Sequence, residues 1–151
     1  MSRESKIMTA IEWETQETIS HYEAFGWELL SINGKQITMS RETQNPVYTD
    51  LVKYQAMYEE CLEKYRKVPK PEKPIAPPPY SIGTGFITFI LAVVPFVIYT
   101  AYKVNQRNKY KEAMLEYEKQ YQEYKDKRAA LVEEMKSIVL QSRTVFFSKQ
   151  N

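Results

Sequence analysis

The sequence predicts an α+β protein: a small β-α-β-β N-terminal domain, a heptad helix, a Pro-rich spacer, one transmembrane helix and a long C-terminal helix. Three observations carry this. An Asn-Gly pair separates two short alternating stretches near residue 33. Two runs of apolar residues step by four and three. No charged side chain occurs from Ser81 to Tyr102. The organisation that follows is 1–45 for the domain, 46–68 for the first heptad helix, 69–80 for the spacer and 81–103 for the membrane segment. Residues 104–142 form the second heptad helix, and 143–151 a tail.

Residues 6–13, KIMTAIEW, alternate as a strand does, with Ile7, Thr9, Ile11 and Trp13 on one face. Thr15 is placed to cap a short helix bearing Ile19 and Tyr22, which Gly26 ends by supplying a positive φ. A longer helix from Thr9, with Glu12 closing a capping box, is the alternative. In WELLSINGKQITMS, Asn33-Gly34 is the preferred pair for a two-residue type I′ turn. With those two residues as the loop, Ile32 faces Lys35, Leu30 faces Ile37 and Glu28 faces Met39. Leu30, Ile32, Ile37 and Met39 then share the face that packs on the helix, and Trp27 and Leu29 take the other. A domain of about 40 residues is near the lower limit for folding alone, so neighbours or self-association must supply core.

The stretch FGWELLSINGKQITMSRE, residues 25–42, resembles the hairpin of a small bacterial domain family of unknown function. That hairpin has a Gly-Trp-Glu-Leu strand, a turn, and a strand ending in a basic residue. Gly26, Trp27, Glu28, Leu29 and Arg41 match it. The resemblance implies a β-α-β-β fold and no established activity, and it stops near residue 46.

Pro46 disfavours helix at Asn45 and suits a helix start just after it. The spacing then becomes regular: Val47, Leu51, Tyr54, Tyr58, Cys61, Tyr65 and Val68 form a heptad seam. Six prolines between residues 69 and 79 exclude helix and favour polyproline II, a semi-rigid spacer. The rhythm returns with Tyr110, Met114, Tyr117, Tyr121, Tyr124, Arg128, Leu131, Met135 and Ile138, where Arg128 would set register. Tyrosine at seam positions is bulkier and more polar than leucine, so the packing is selective and the hydroxyls need partners. The two helices can pair antiparallel with each other, or each with a partner chain. The tail TVFFS, 144–148, is a frayed end, a membrane-surface contact, or a strand added to the N-terminal sheet.

Residues 81–102 as a helix are about 33 Å long, close to the ~30 Å hydrocarbon core. Ile82, Phe86, Phe89, Leu91, Pro95, Tyr99 and Tyr102 mark the segment, with the tyrosines suited to interfaces and Pro95 to a kink. Basic residues balance across it: five precede it within about twenty residues, including Lys70 and Lys73, and five follow, including Lys103, Arg107, Lys109 and Lys111. A tie leaves two readings under the positive-inside rule, a single crossing or a segment that dips in and returns with both flanks cytoplasmic. The N-terminus lacks the apolar core of a signal peptide, so the first 80 residues are expected to stay cytoplasmic.

A net charge of +2 argues against nucleic-acid binding. One cysteine, Cys61, excludes an intrachain disulfide framework. His21 is the only histidine and reads as structural or solvated. There is no cysteine pair, histidine cluster, phosphate loop or nucleophile elbow, so no enzyme activity, metal, cofactor or small-molecule substrate is expected. The expectation is a membrane-anchored interaction or scaffold protein, meeting a lipid bilayer and self-associating through its heptad helices. The alternatives are an accessory subunit of a larger membrane complex, or a small pore.

Overall fold

A computed structural model describes residues 2–11, 13–79 and 93–148, with the side chains of 93–96 outside that description. Its elements are β1 (Arg3–Thr9), α1 (Thr15–Glu23), β2 (Glu28–Asn33), β3 (Gln36–Glu42), α2 (Tyr48–Lys67) and α3 (Val93–Ser148). The chain divides into two units. One joins Met1–Val68 to Arg128–Asn151, and the other is Pro69–Lys127.

In the first unit the strands form an antiparallel sheet in the order β1-β3-β2. The predicted β-α-β-β order is therefore present, with the last strand at the centre. Ile37 and Met39 of β3 are fully buried. Opposite them on β1 stand Met8 and Lys6, and Glu4 stands opposite Arg41. Paired residues share a sheet face, so Glu4, Lys6 and Met8 face the core. This reverses the expected face. Ile7 and Ile11 are exposed, and the strand ends at Thr9. The physical reason is that Lys6 and Glu4 have ionic partners inside, so hydrophobicity alone misassigns the register.

The hairpin departs from expectation by one residue. Asn33 pairs with Gln36, leaving Gly34 and Lys35 as the loop. Gly34 has φ +60 and no non-glycine residue among the described residues has positive φ, which is a turn with glycine first, not the Asn-Gly type I′ geometry. Leu29 then pairs with Met39 and Ile32 with Ile37, with the register shifting between Leu29 and Ser31. As an edge strand, β2 leaves Leu29, Leu30 and Ile32 exposed, whereas Trp27 is buried.

Helix α1 begins at Thr15, with no side-chain cap, and the longer helix from Thr9 does not form. It ends as Gly26 was expected to end it. Gly26 has φ +79, its N–H donates to the Glu23 carbonyl, and the Trp27 N–H donates to that of Tyr22, the paired bonds of a Schellman motif. Ahead of α2, the Asn45 side chain accepts from the Val47 N–H. The seam of α2 faces inward, with Leu51, Tyr58 and Cys61 buried.

The helix that closes this core comes from the far end of the chain. Met135, Ile138 and Val139 of α3 join Ile19, Phe25, Ile37, Met39, Tyr58 and Cys61 in one cluster, with Leu131, Tyr54 and Tyr65 packed on it. The Arg128 guanidinium lies 3.8 Å from the centre of the Tyr65 ring, and Glu134 lies beside Cys61. Helices α2 and α3 thus run antiparallel, and their seam residues are used within one chain. Residues 144–148 continue α3, so the tail is helical and adds no strand.

Candidate functional site

Two of the hairpin residues, Trp27 and Arg41, converge on a buried polar network, whereas Glu28 and Leu29 are exposed. Arg41 is 5% exposed. Its guanidinium donates to Glu4 (2.7 Å), to the Phe25 carbonyl (3.1 Å) and to Gln55 Oε1 (3.0 Å). It lies over the rings of Trp27 and Tyr48, at 4.5 and 4.9 Å. Trp27 Nε1 donates to the same Gln55 oxygen at 2.9 Å. Gln55 Nε2 passes the chain on to Glu59 Oε1, which also accepts from Lys6 and from the Tyr22 hydroxyl.

Burial would raise the Glu59 carboxyl, but Lys6 and the hydrogen bonds from Gln55 and Tyr22 outweigh it and hold it below its ordinary value. Burial, reinforced by Glu59, pushes the Tyr22 phenol well above its ordinary range. Two donors on one Gln55 atom and an acceptor on the other fix its amide orientation. A network this closed locks one geometry. It holds no free nucleophile poised against a base.

Gly26 serves the same junction. A Cβ placed on it would come within 2.9 Å of Leu51 Cδ1 and 3.6 Å of the Arg41 side chain. Beside it a groove of about 550 Å³ is lined by Trp27, Glu28, Leu29, Arg143 and Phe146 among others. Sequence reasoning missed this network. Glu4, Lys6, Gln55 and Glu59 look like solvated positions, and only the Gly-Trp…Arg pattern hinted at it.

A second cluster is aromatic. His21 Nδ1 lies 2.8 Å from the Tyr58 hydroxyl. Trp13 meets the His21 ring edge-on and stacks on Tyr65, both at 5.8 Å. Burial lowers the His21 pKa; Glu17 opposes that and Arg143 adds to it. Burial pushes the Tyr58 phenol up to about 12, and the Cys61 thiol, 2% exposed, up to about 11.

Of the membrane-segment residues, Ile82, Phe86, Phe89 and Leu91 lie outside the described residues, as does the side chain of Pro95. Tyr99 is half-buried and Tyr102 exposed on α3. Among the described residues no helix is long and apolar enough to cross a membrane. Lys70 and Lys73 are exposed on the spacer; Arg107, Lys109 and Lys111 are exposed on α3. Lys103 is half-buried, its Nζ 5.9 Å from the Tyr99 ring centre. Tyr110, Met114, Tyr117, Tyr121 and Tyr124 form a half-buried stripe on a helix otherwise exposed over that stretch. Among the described residues no three His, Cys, Asp or Glu side chains gather as metal ligands would.

The chain matches no protein-family model, no curated protein and no solved structure.

Proposed function

We propose that this is a membrane-associated interaction protein whose apolar segment, 81–103, meets a bilayer from one side, with both flanks in the cytoplasm. The observation that carries this reading is the composition of the first unit: residues before the segment and residues after it share one hydrophobic core. The two halves of a folded core lie in one compartment, so the chain between them must return to the side it left. Equal basic counts on the two flanks favour the same arrangement, and anionic lipid attracts the run from Lys103 to Lys111. The segment thereby confines the α+β unit to a membrane surface and raises its effective concentration for a partner.

Self-association through the α2 seam or through Leu131, Met135 and Ile138 would require opening that core. A partner, whether a second copy or a larger membrane complex, therefore meets other surfaces. The exposed edge of β2 and the groove beside Trp27 are two such surfaces among the described residues. No Asp, Glu, Lys, Arg or His lies between Ser81 and Tyr102 to line a path, which weighs against a pore.

The test places single thiols on a Cys61→Ser background, at Lys70 and at Lys119, both exposed. In intact cells a membrane-impermeant maleimide should label neither until the cells are opened. Labelling of one site alone overturns the one-sided reading. Recovery of the whole chain in the soluble fraction, with no flotation on anionic vesicles, overturns the membrane reading.

A further inference from the structure

The second unit holds a pattern that its role at a membrane does not explain. Residues 69–79 have no helix or strand, and Pro71, Pro74 and Pro77 alone among them are half-buried. A period of three is the period of a polyproline II helix. Hydrophobicity did not choose this face, because Ile75 between them is 94% exposed. In the same unit the Tyr110–Tyr124 stripe is the sheltered side of α3. Ring stacking of Tyr117 on Tyr121, and of Tyr121 on Tyr124, shelters part of it. It does not account for Met114, nor for Gln106 one step further on, whose amide oxygen is closed to solvent. Among the described residues of this unit, only the spacer lies outside the helix.

We infer that residues 69–79 form a polyproline strap docked in cis along the tyrosine stripe of α3, with Pro71, Pro74 and Pro77 seated between its rings. The repeats agree. Three residues of polyproline II advance about 9.3 Å, and one heptad of α-helix about 10.5 Å, so each proline meets one heptad of the stripe. The direction follows from the contact between Tyr65 and Arg128. The spacer starts four residues after one of these, and the stripe ends four residues before the other, so the two run antiparallel. Pro71 then lies toward Tyr124 and Pro77 toward Tyr110. Proline-rich segments bind aromatic grooves because their conformation is preformed and little entropy is lost on docking. The bare carbonyls of polyproline II can accept from tyrosine hydroxyls, which supplies the partners those hydroxyls need. The strap occupies the seam a coiled-coil partner would use.

The test is a distance distribution between spin labels at Lys73→Cys and Lys119→Cys in the full chain carrying Cys61→Ser. A single narrow distance is expected, unchanged when labelled chain is diluted with unlabelled chain. Two triple variants remove equal numbers of prolines: Pro71, Pro74 and Pro77 to Ser, and Pro69, Pro78 and Pro79 to Ser. The first should broaden the distribution severalfold and the second should leave it narrow. Equal broadening by both means that stiffness alone, without docking, sets the distance, and the inference fails. A broad distribution in the parent chain also overturns it. So does a distribution unaffected by either triple, or a short distance that was intermolecular and disappears on dilution.

Discussion

The hydroxyl of Ser142 donates to the carbonyl of Ala24 at 2.8 Å, across 118 positions of sequence. The serine is wholly buried, and next to it Arg143 reaches the Ser20 hydroxyl and carbonyl. The last turns of α3 therefore close the C-terminal end of α1. Ser142→Ala leaves a buried carbonyl unpaired and should cost about 1–3 kcal/mol. Met135→Ala opens a cavity in the same seam and should cost about 2–5 kcal/mol. Urea unfolding of the full chain measures both. A Met135→Ala loss under about 0.5 kcal/mol would mean that α3 does not complete this core.

Gly26 and Gly34 both have positive φ, but only Gly26 is hemmed in. Alanine at Gly34 meets open space and should cost about 1 kcal/mol for the left-handed backbone. Alanine at Gly26 adds a contact with Leu51 too close to keep, so the loss should exceed that of Gly34→Ala by at least about 1 kcal/mol. Denaturant midpoints of the two variants give the comparison directly, and equal losses would count against the tight junction.

Arg41 and Glu4 form an ion pair at 2.6 Å with the guanidinium buried. Removing one member strands the other. Arg41→Met should cost about 3–5 kcal/mol, more than replacing an exposed arginine such as Arg3, whose bridge to Glu28 is solvent-exposed. Adding Glu4→Gln to Arg41→Met should cost little more. A double-mutant cycle should thus show a coupling of about 1–3 kcal/mol; additive losses would mean the pair is not a unit.

The β-α-β-β succession of elements, both helix seams and the glycine that ends α1 were legible because each has a local signal: alternation, heptad spacing, or a residue that alone tolerates positive φ. What was not legible depended on partners far away in sequence. Lys6 and Glu4 face inward because Glu59 and Arg41 wait there, 53 and 37 residues on. Trp27 turns inward because Gln55 accepts its N–H. The hairpin slipped by one residue because a single positive φ, at Gly34, suffices for the turn. Tail residues Val145 and Phe146 favour strand by type, yet they extend α3 because its inward face continues through Ser142 and Arg143 onto α1.

Cys61 should be nearly inert in the native protein. Its thiol is buried, and burial followed by the nearby Glu134 carboxylate pushes its pKa up to about 11. The thiolate is the reactive species, so at neutral pH its fraction should be at least tenfold below that of an ordinary cysteine. Maleimide or Ellman modification should be slow in buffer and fast in denaturant. Rapid native labelling would show that α2 and α3 separate readily.

His21 gives stability a pH dependence of known sign. Its pKa is lowered in the folded protein, through burial first, with Arg143 outweighed by Glu17 among the charges. The unfolded chain therefore takes up the proton more readily, at about pH 6.5. Stability is full above that pH and falls as pH drops toward the folded-state pKa. Glu59, held below its ordinary value, acts with the same sign but only at lower pH. As the only histidine, His21 should account for the slope between about pH 7 and 5.5. Urea midpoints across that window should decline for the parent and stay level for His21→Gln, whatever the absolute stability of the variant. A parallel decline in both would remove His21 as the cause.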